Sequence, residues 1–97
     1  MGLLGRSVST HRPAALKSIY QDAYQELLSQ LIEARKAEGL TQQQLADKLA
    51  RPQSFVSKIE NADRRLDVIE FLEICRLLHC DPYGLMKRVE GRLKRRS

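Results

Sequence analysis

The sequence predicts an all-α fold in which five short helices surround one core. Three observations support this class. Apolar residues recur at helical spacing in five segments, no segment alternates as a strand does, and residues suited to cap helices stand between the segments. The 97 residues suffice for one domain, and the 42% that are apolar can form a single modest core.

The first helix is predicted to begin between Ser18 and Asp22 and to run to Glu38. Gly39 then ends it, because glycine adopts the left-handed backbone of a helix C-cap without a steric cost. The preceding residues lack periodicity and mix glycine, serine, proline and basic side chains, so 1–18 is predicted to be a flexible basic arm. The inward stripe and edge of the helix comprise Tyr24, Leu27, Leu28, Leu31, Ile32 and Arg35.

Two shorter helices are predicted next, at about 42–49 and 53–60. Thr41 can cap the first of them, and Gln44, three residues on, completes a capping box. The run Ala50-Arg51-Pro52 separates the helices, because the residue before a proline is pushed out of the helical region while proline itself suits a helix start. The buried face of the helix at 42–49 consists of Leu45, Ala46 and Leu49.

The helix predicted at 53–60 has a polar outer face. Val56 and Ile59 point inward at this spacing. The side chains left outside are Gln53, Ser54, Ser57 and Lys58. Glutamine, serine and lysine are suited to contacts with base edges and phosphates in the major groove of DNA.

Two further helices complete the predicted fold. Asp67 can cap the fourth, with Glu70 three residues on in a second capping box. In the polar loop before it, Asn61 is a candidate for a left-handed cap of the third helix. The apolar stripe of the fourth helix is predicted to be Ile69, Leu72, Cys75 and Leu78. The fifth, weaker helix begins at Asp81-Pro82 and includes Tyr83, Leu85, Met86 and Val89.

Residues from Leu31 to about Val89 resemble the phage Cro and repressor type of helix-turn-helix domain, the XRE-like family. The matching runs are LIEARKAEGLTQQQLADKL, RPQSFVSKIE and LDVIEFLEICRLLHCDP. The resemblance implies a five-helix lambda-repressor-like fold and a sequence-specific, DNA-binding transcriptional regulator. It would act by occluding or by recruiting RNA polymerase at a promoter, and a repressor is favoured. Ala50 departs from the family, where glycine is usual at the turn. Either the turn is strained by about 1 kcal/mol or more, or Pro52 shapes it differently.

The resemblance also implies that Gln53 reads a base and that Gln42 braces it. The Gln53 amide can form two hydrogen bonds with adenine, and Gln42 lies at a helix N-terminus that favours a phosphate. The alternative is that both are simply exposed glutamines. The full set of candidate DNA-binding residues is Gln42, Gln43, Arg51, Gln53, Ser54, Phe55, Ser57, Lys58, Asn61, Arg64 and Arg65.

Several of these candidates have a second interpretation. Lys58 can reach a guanine edge or only a phosphate. Phe55 can contact a thymine methyl group, although partial packing on the turn is favoured. Arg64 and Arg65 are suited to clamping the DNA backbone, but they can equally pair with Asp63 and Asp67.

The net charge of +5 arises outside the compact domain, which is predicted to span 19–90. Residues 22–90 contain ten basic and twelve acidic side chains, whereas three basic residues lie in 1–21 and four in a basic tail, 91–97. Positive charge within the domain must therefore be local. It gathers at Lys48, Arg51, Lys58, Arg64 and Arg65. Such a patch with two basic tails suits phosphate contact, and solvated tails that aid solubility are an equal alternative.

Cys75, His79 and Cys80 raise the question of a metal or redox site. A structural zinc site usually has four ligands, and the sequence provides three with no clear fourth. Cys75 also lies on an apolar stripe, where a thiol packs as a small hydrophobic group. Core packing is therefore favoured over a zinc or redox sensor, and no cofactor is predicted.

The remaining patterns limit the classes of function. No glycine-rich phosphate loop, paired-carboxylate pocket or nucleophile motif is present, so an enzyme is not predicted. No run approaches the roughly 20 apolar residues that span a membrane, and no signal peptide is recognised, so a cytoplasmic protein is expected.

The predicted partner is double-stranded operator DNA with two-fold symmetry, bound by a homodimer. The resemblance puts the dimer interface around the fifth helix, at Tyr83, Leu85, Met86 and Val89. An antitoxin that neutralises a partner toxin and represses its own promoter is the alternative. In that case 1–20 serves as an arm that folds on the toxin.

Overall fold

A computed structural model describes residues 14–94 of the chain, with side chains from Tyr20 onward. It confirms the all-α class: five helices and no strand occur within 14–94. None of these helices is both long and apolar enough to cross a membrane. The helices are α1 (Ala14–Ala37), α2 (Gln42–Leu49), α3 (Gln53–Glu60), α4 (Val68–Leu78) and α5 (Pro82–Lys94).

Helix α1 begins earlier than the sequence pattern predicted. It starts at Ala14, so residues 14–18 of the predicted arm are helical. The reason is that Ala, Leu and Lys, which fill positions 14–17, are strong helix formers even without an amphipathic pattern. The rest of the arm, 1–13, lies outside the described residues. At the other end, Gly39 has the predicted positive φ of 74°.

The helices surround a single core to which every helix contributes. Helix α1 packs along α5, and α2 packs against α3. The core residues are Leu28, Leu31, Leu45, Ala46, Phe55, Val56, Ile59, Phe71, Ile74, Cys75, Leu78 and Leu85. Within α2 and α3, the predicted inward residues are buried, except that Leu49 is only partly buried.

The predicted stripe of α4 is wrong in its first half. Ile69 is 72% exposed and Leu72 is 36% exposed, whereas Phe71 and Ile74 are buried. A helix turns about 100° per residue, so residues spaced strictly three apart drift around its axis and leave the core. Spacings of three and four residues together keep one face inward. Phe71, Ile74, Cys75 and Leu78 follow that pattern.

Helix α5 extends to Lys94 and thus includes the first residues of the predicted basic tail. Arg92 donates a hydrogen bond to Glu26 of α1 at 2.7 Å, and Arg88 donates one to Gln30 at 2.7 Å. The hydrogen bonds of Glu26 with Gln30 and Arg92 keep the pKa of that carboxyl group below its ordinary value. These contacts fasten α5 to α1. Residues 95–97 lie outside the described part of the chain.

Two alanines adopt the left-handed conformation at the breaks after α2 and α3. Ala50 has φ 58° and ψ 42°, as glycine usually does at this turn, so Pro52 does not replace the family geometry. After α3, Ala62 has φ 63°, whereas Asn61, the predicted left-handed residue, has φ −87°. The peptide N–H of Arg51 donates to the Ala46 carbonyl at 3.0 Å, which closes the turn between α2 and α3.

We expect Ala50→Gly to raise the free energy of unfolding by about 1 kcal/mol, because the Cβ clash of the left-handed backbone disappears. Ala34→Gly, in the body of α1, is the control and should lower it by about 0.5–1 kcal/mol. Urea unfolding followed by circular dichroism measures both. A loss of stability in Ala50→Gly would contradict the left-handed assignment.

Candidate nucleic-acid interface

Helices α2 and α3 each begin with a glutamine, and the two glutamines meet. The Thr41 hydroxyl accepts a hydrogen bond from the backbone N–H of Gln44 at 3.0 Å, and the Gln44 side-chain oxygen accepts one from the backbone N–H of Thr41 at 2.9 Å. This capping box fixes the start of α2 at Gln42. Across the turn, the Gln53 amide nitrogen donates to the Gln42 amide oxygen at 2.7 Å. The predicted brace between these two residues is therefore present.

Beneath the glutamines lies an ion pair between α1 and the end of α3. Arg35 Nε donates to Glu60 Oε2 at 2.7 Å, and Nη2 donates to Oε1 at 3.1 Å. Both side chains are only 10% exposed. Arg35 also donates to the Leu40 carbonyl at 2.8 Å. Bidentate geometry with an additional hydrogen bond offsets part of the cost of removing two charges from water.

The ion pair continues into the glutamine brace through Gln42. Its amide nitrogen donates to Glu60 Oε1 at 2.8 Å. One hydrogen-bonded chain thus runs from Arg35 through Glu60 and Gln42 to Gln53. We call these four residues the glutamine relay. Gln53, at its end, is exposed on the first turn of α3.

The rest of the outer face of α3 is polar, as predicted. Ser54 and Lys58 are exposed. Ser57 is half-buried, and its hydroxyl donates to the Ser54 carbonyl at 3.3 Å. Behind α3, the Lys58 carbonyl accepts hydrogen bonds from the N–H groups of Asp63 and Arg64, at 2.8 and 3.1 Å. These hydrogen bonds fold the loop back against the end of the helix.

Phe55 is buried, which supports the packing interpretation. Two guanidinium groups contact its ring, Arg51 at 4.4 Å and Arg64 at 4.7 Å from the centroid. Each is within the range of a cation–π interaction. Phe55 therefore supports the two arginines and does not project toward the outer face of α3.

Arg64 pairs with Glu70 and not with the predicted partners. Its guanidinium forms two hydrogen bonds of 2.8 Å with the Glu70 carboxylate and a third, of 3.0 Å, with the Arg65 carbonyl. The hydrogen bond from Arg64 keeps the pKa of Glu70 below its ordinary value. The sequence pattern suggested Asp63 and Asp67, because they are nearest along the chain. Asp67 instead accepts the α4 capping bond from the Glu70 N–H at 2.7 Å.

The other flanking candidates lie on α2, at the end of α3 and in the loop that follows α3. Arg65 lies over the ring of Tyr24, 4.2 Å from its centroid, so α1 orients its exposed side chain. Gln43 is exposed and donates to Asp47 at 2.9 Å. Asn61 is exposed at the end of α3. The structure therefore brings Gln42, Gln53, Ser54 and Lys58 to one surface and gives Phe55 and Arg64 internal partners.

Cys75 lies on α4, and Cys80 follows the end of that helix. Cys75 has no exposed surface, and its burial, with a hydrogen bond to Cys80, raises the pKa of its thiol to about 12. His79 is exposed and contacts Glu38 at 3.2 Å. Within 14–94, no three His, Cys, Asp or Glu side chains form a group suited to a metal ion. Cys75 is a packed core residue, as its place in the apolar pattern indicated.

Glu60 is the site residue that the sequence pattern did not identify. A signal for it existed, because Arg35 falls on the inward stripe of α1 and a buried guanidinium requires an acidic partner. Sequence spacing alone cannot say which of the twelve acidic residues that partner is.

The comparisons with known proteins agree with this geometry. A helix-turn-helix family model matches residues 31–85, more than half of the chain. The chain is similar to the solved structure of an XRE-family like protein from Pseudomonas syringae pv. tomato str. DC3000, with 56% sequence identity and a TM-score of 0.76. The match covers 81% of this chain and 96% of that chain. A comparison with curated proteins gives no match. The chain belongs to the XRE-like helix-turn-helix family of DNA-binding regulators.

Proposed function

We propose that the protein is a sequence-specific transcriptional repressor that binds two-fold symmetric operator DNA as a dimer in the cytoplasm. Helix α3 enters the major groove, and its occupancy of the promoter excludes RNA polymerase. The observation that carries this proposal is the placement of Gln53. It is exposed on the first turn of α3, and its hydrogen bond to Gln42 holds it there.

Each outer residue of α3 has a role that follows from its chemistry. Gln53 forms paired hydrogen bonds with adenine, and Ser54 and Ser57 are adaptable secondary contacts. Lys58 contacts a phosphate. Gln42 contributes its position at the N-terminus of α2, where N–H groups and the helix dipole favour a phosphate.

The flanking residues act through the DNA backbone or through the fold. Arg51 is exposed beside the turn and is suited to a phosphate contact, with Phe55 behind its guanidinium. Gln43, Asn61 and Arg65 are exposed at the edge of the surface and are suited to the same role. Arg64 already forms two hydrogen bonds with Glu70 and one with the Arg65 carbonyl, so we assign it to holding the loop that supports α3.

An apolar groove on α5 favours a dimer. It has a volume of about 550 Å³ and lies between α1, the start of α4 and α5. Its exposed apolar side chains are Val68, Tyr83, Met86 and Leu93. Clustered exposed apolar surface is typical of a protein interface. Leu85, predicted to belong to the interface, is instead 5% exposed in the core. A two-fold dimer would read half-sites about 34–36 Å apart.

Gln53→Ala is expected to remove base preference at one position in each half-site, a loss of about 1–3 kcal/mol of discrimination. Lys58→Ala is expected to weaken binding to all sequences evenly. It should also reduce the salt slope, which is the slope of the logarithm of the binding constant against the logarithm of the salt concentration, by about 1 for each phosphate that the lysine neutralises. Operators selected from a random duplex pool, followed by competition titrations at two salt concentrations, measure both effects.

Gln25→Ala is the matched control, because Gln25 is an exposed glutamine on α1 outside the proposed interface. It should leave preference, affinity and salt slope unchanged. A uniform loss of affinity in Gln53→Ala, with preference intact at every position, would show that Gln53 is not the reader. Failure of the pool to yield any preferred sequence would contradict sequence-specific binding itself.

The dimer is tested by placing charge in the groove. The double variant Tyr83→Asp, Met86→Asp should be monomeric at micromolar concentration in sedimentation experiments, where the wild type is dimeric. Both side chains are exposed, at 72% and 42%, so the helical circular dichroism should persist. Ile69→Asp is the control, since Ile69 is also 72% exposed but lies outside the groove. A wild type that stays monomeric with DNA present would refute the dimer.

A further inference from the structure

We propose that Glu60 is a positioning residue that determines which base Gln53 reads, by fixing the orientation of both glutamine amides in the relay. The consequence is that Gln53 accepts adenine and rejects guanine. This inference rests on the proposed function, because it assumes that Gln53 faces a base in the major groove.

The orientation follows from the donors and acceptors along the relay. The side-chain oxygens of Glu60 accept two hydrogen bonds from Arg35, and a carboxylate has no hydrogen to donate. Gln42 must therefore turn its NH₂ group toward Glu60, at 2.8 Å. Its amide oxygen is then directed at Gln53, which must in turn present its own NH₂ group, at 2.7 Å. One carboxylate thus sets the direction of two amides.

The groups that remain on Gln53 define its base preference. One N–H is bound to Gln42, which leaves one N–H and the amide oxygen for DNA. Adenine presents an acceptor at N7 and a donor at N6, which match these two groups. Guanine presents acceptors at both N7 and O6. To bind guanine, Gln53 would need both of its N–H groups, and the relay has already used one.

The inner half of the relay is buried and anchored. Arg35 and Glu60 are each 10% exposed, and Arg35 is anchored a second time at the Leu40 carbonyl. Gln42 is half-buried and Gln53 is exposed. Turning either amide over would place its oxygen against the acceptor that faces it. Guanine binding thus requires breaking a hydrogen bond within the protein.

The experiment compares two operator duplexes that differ at one position. Operators are selected from a random duplex pool with the full chain, and the position relaxed by Gln53→Ala is identified. Duplexes with adenine or guanine there are then titrated with the wild type, Gln42→Ala, Glu60→Gln and the control Gln25→Ala. The ratio of the two dissociation constants is the readout, because a general loss of stability or affinity leaves that ratio unchanged.

The wild type and Gln25→Ala should favour adenine by roughly tenfold or more. Gln42→Ala frees the second N–H of Gln53, which can then donate to guanine. The dissociation constants of the two duplexes should therefore differ by no more than about threefold. Glu60→Gln should lower the ratio in the same direction. Because that variant leaves Arg35 buried without its anion, its folding is checked by circular dichroism. If it does not fold, Gln42→Ala decides alone, since it retains the ion pair.

Two results overturn the inference. If Gln42→Ala weakens both duplexes equally and keeps the tenfold ratio, or if a folded Glu60→Gln variant keeps that ratio, the relay does not set the base preference, while the proposed function stands through the effect of Gln53→Ala. If Gln53→Ala itself relaxes no position, the reader is misassigned, and the inference fails together with that part of the proposed function.

Discussion

The ion pair between Arg35 and Glu60 is the interaction on which the rest of the interface depends. It joins the long α1 to the last residue of α3, so it sets how the outer face of α3 is presented. Removal of one partner would leave an uncompensated buried charge, which typically costs about 3–5 kcal/mol. The pair also has a polarity. Because a carboxylate only accepts hydrogen bonds, Gln42 must donate to Glu60, and Gln53 must donate to Gln42. A hydrophobic pair of equal volume could not orient the two amides in this way.

The local features of the fold were predictable from the sequence because short-range chemistry determines them. Both capping boxes, the bounds of α2 and α3 and the left-handed Gly39 each depend on residues within one or two turns of helix. The conformation of Ala50 was harder to predict, because either a strained left-handed turn or a turn reshaped by Pro52 was compatible with the sequence. The hydrogen bonds that close the turn outweigh the strain of a left-handed alanine.

The features that escaped prediction depend on residues distant in the chain. The partner of Arg35 lies 25 residues away. Arg64 pairs with Glu70 because of the path that the loop between α3 and α4 follows. The rotation of α4 was predicted wrongly because Ile69 and Leu72 are as apolar as the residues that the core selects. At the interface, the sequence indicated Gln53 on the outer face of α3, and only the resemblance to the XRE-like family implied its contact with Gln42. The sequence pattern did not supply that contact. It did not indicate the carboxylate behind them.

The hydrogen bonds between α1 and α5 give the apolar groove and α3 a common support. Near its middle, α1 holds α5 through Glu26 and Gln30, and near its end it holds α3 through Arg35. Helix α1 therefore contacts both the helix that borders the apolar groove and the helix with the polar outer face. In the dimer proposed above, α1 would thus connect the groove between the protomers to the helix that meets DNA.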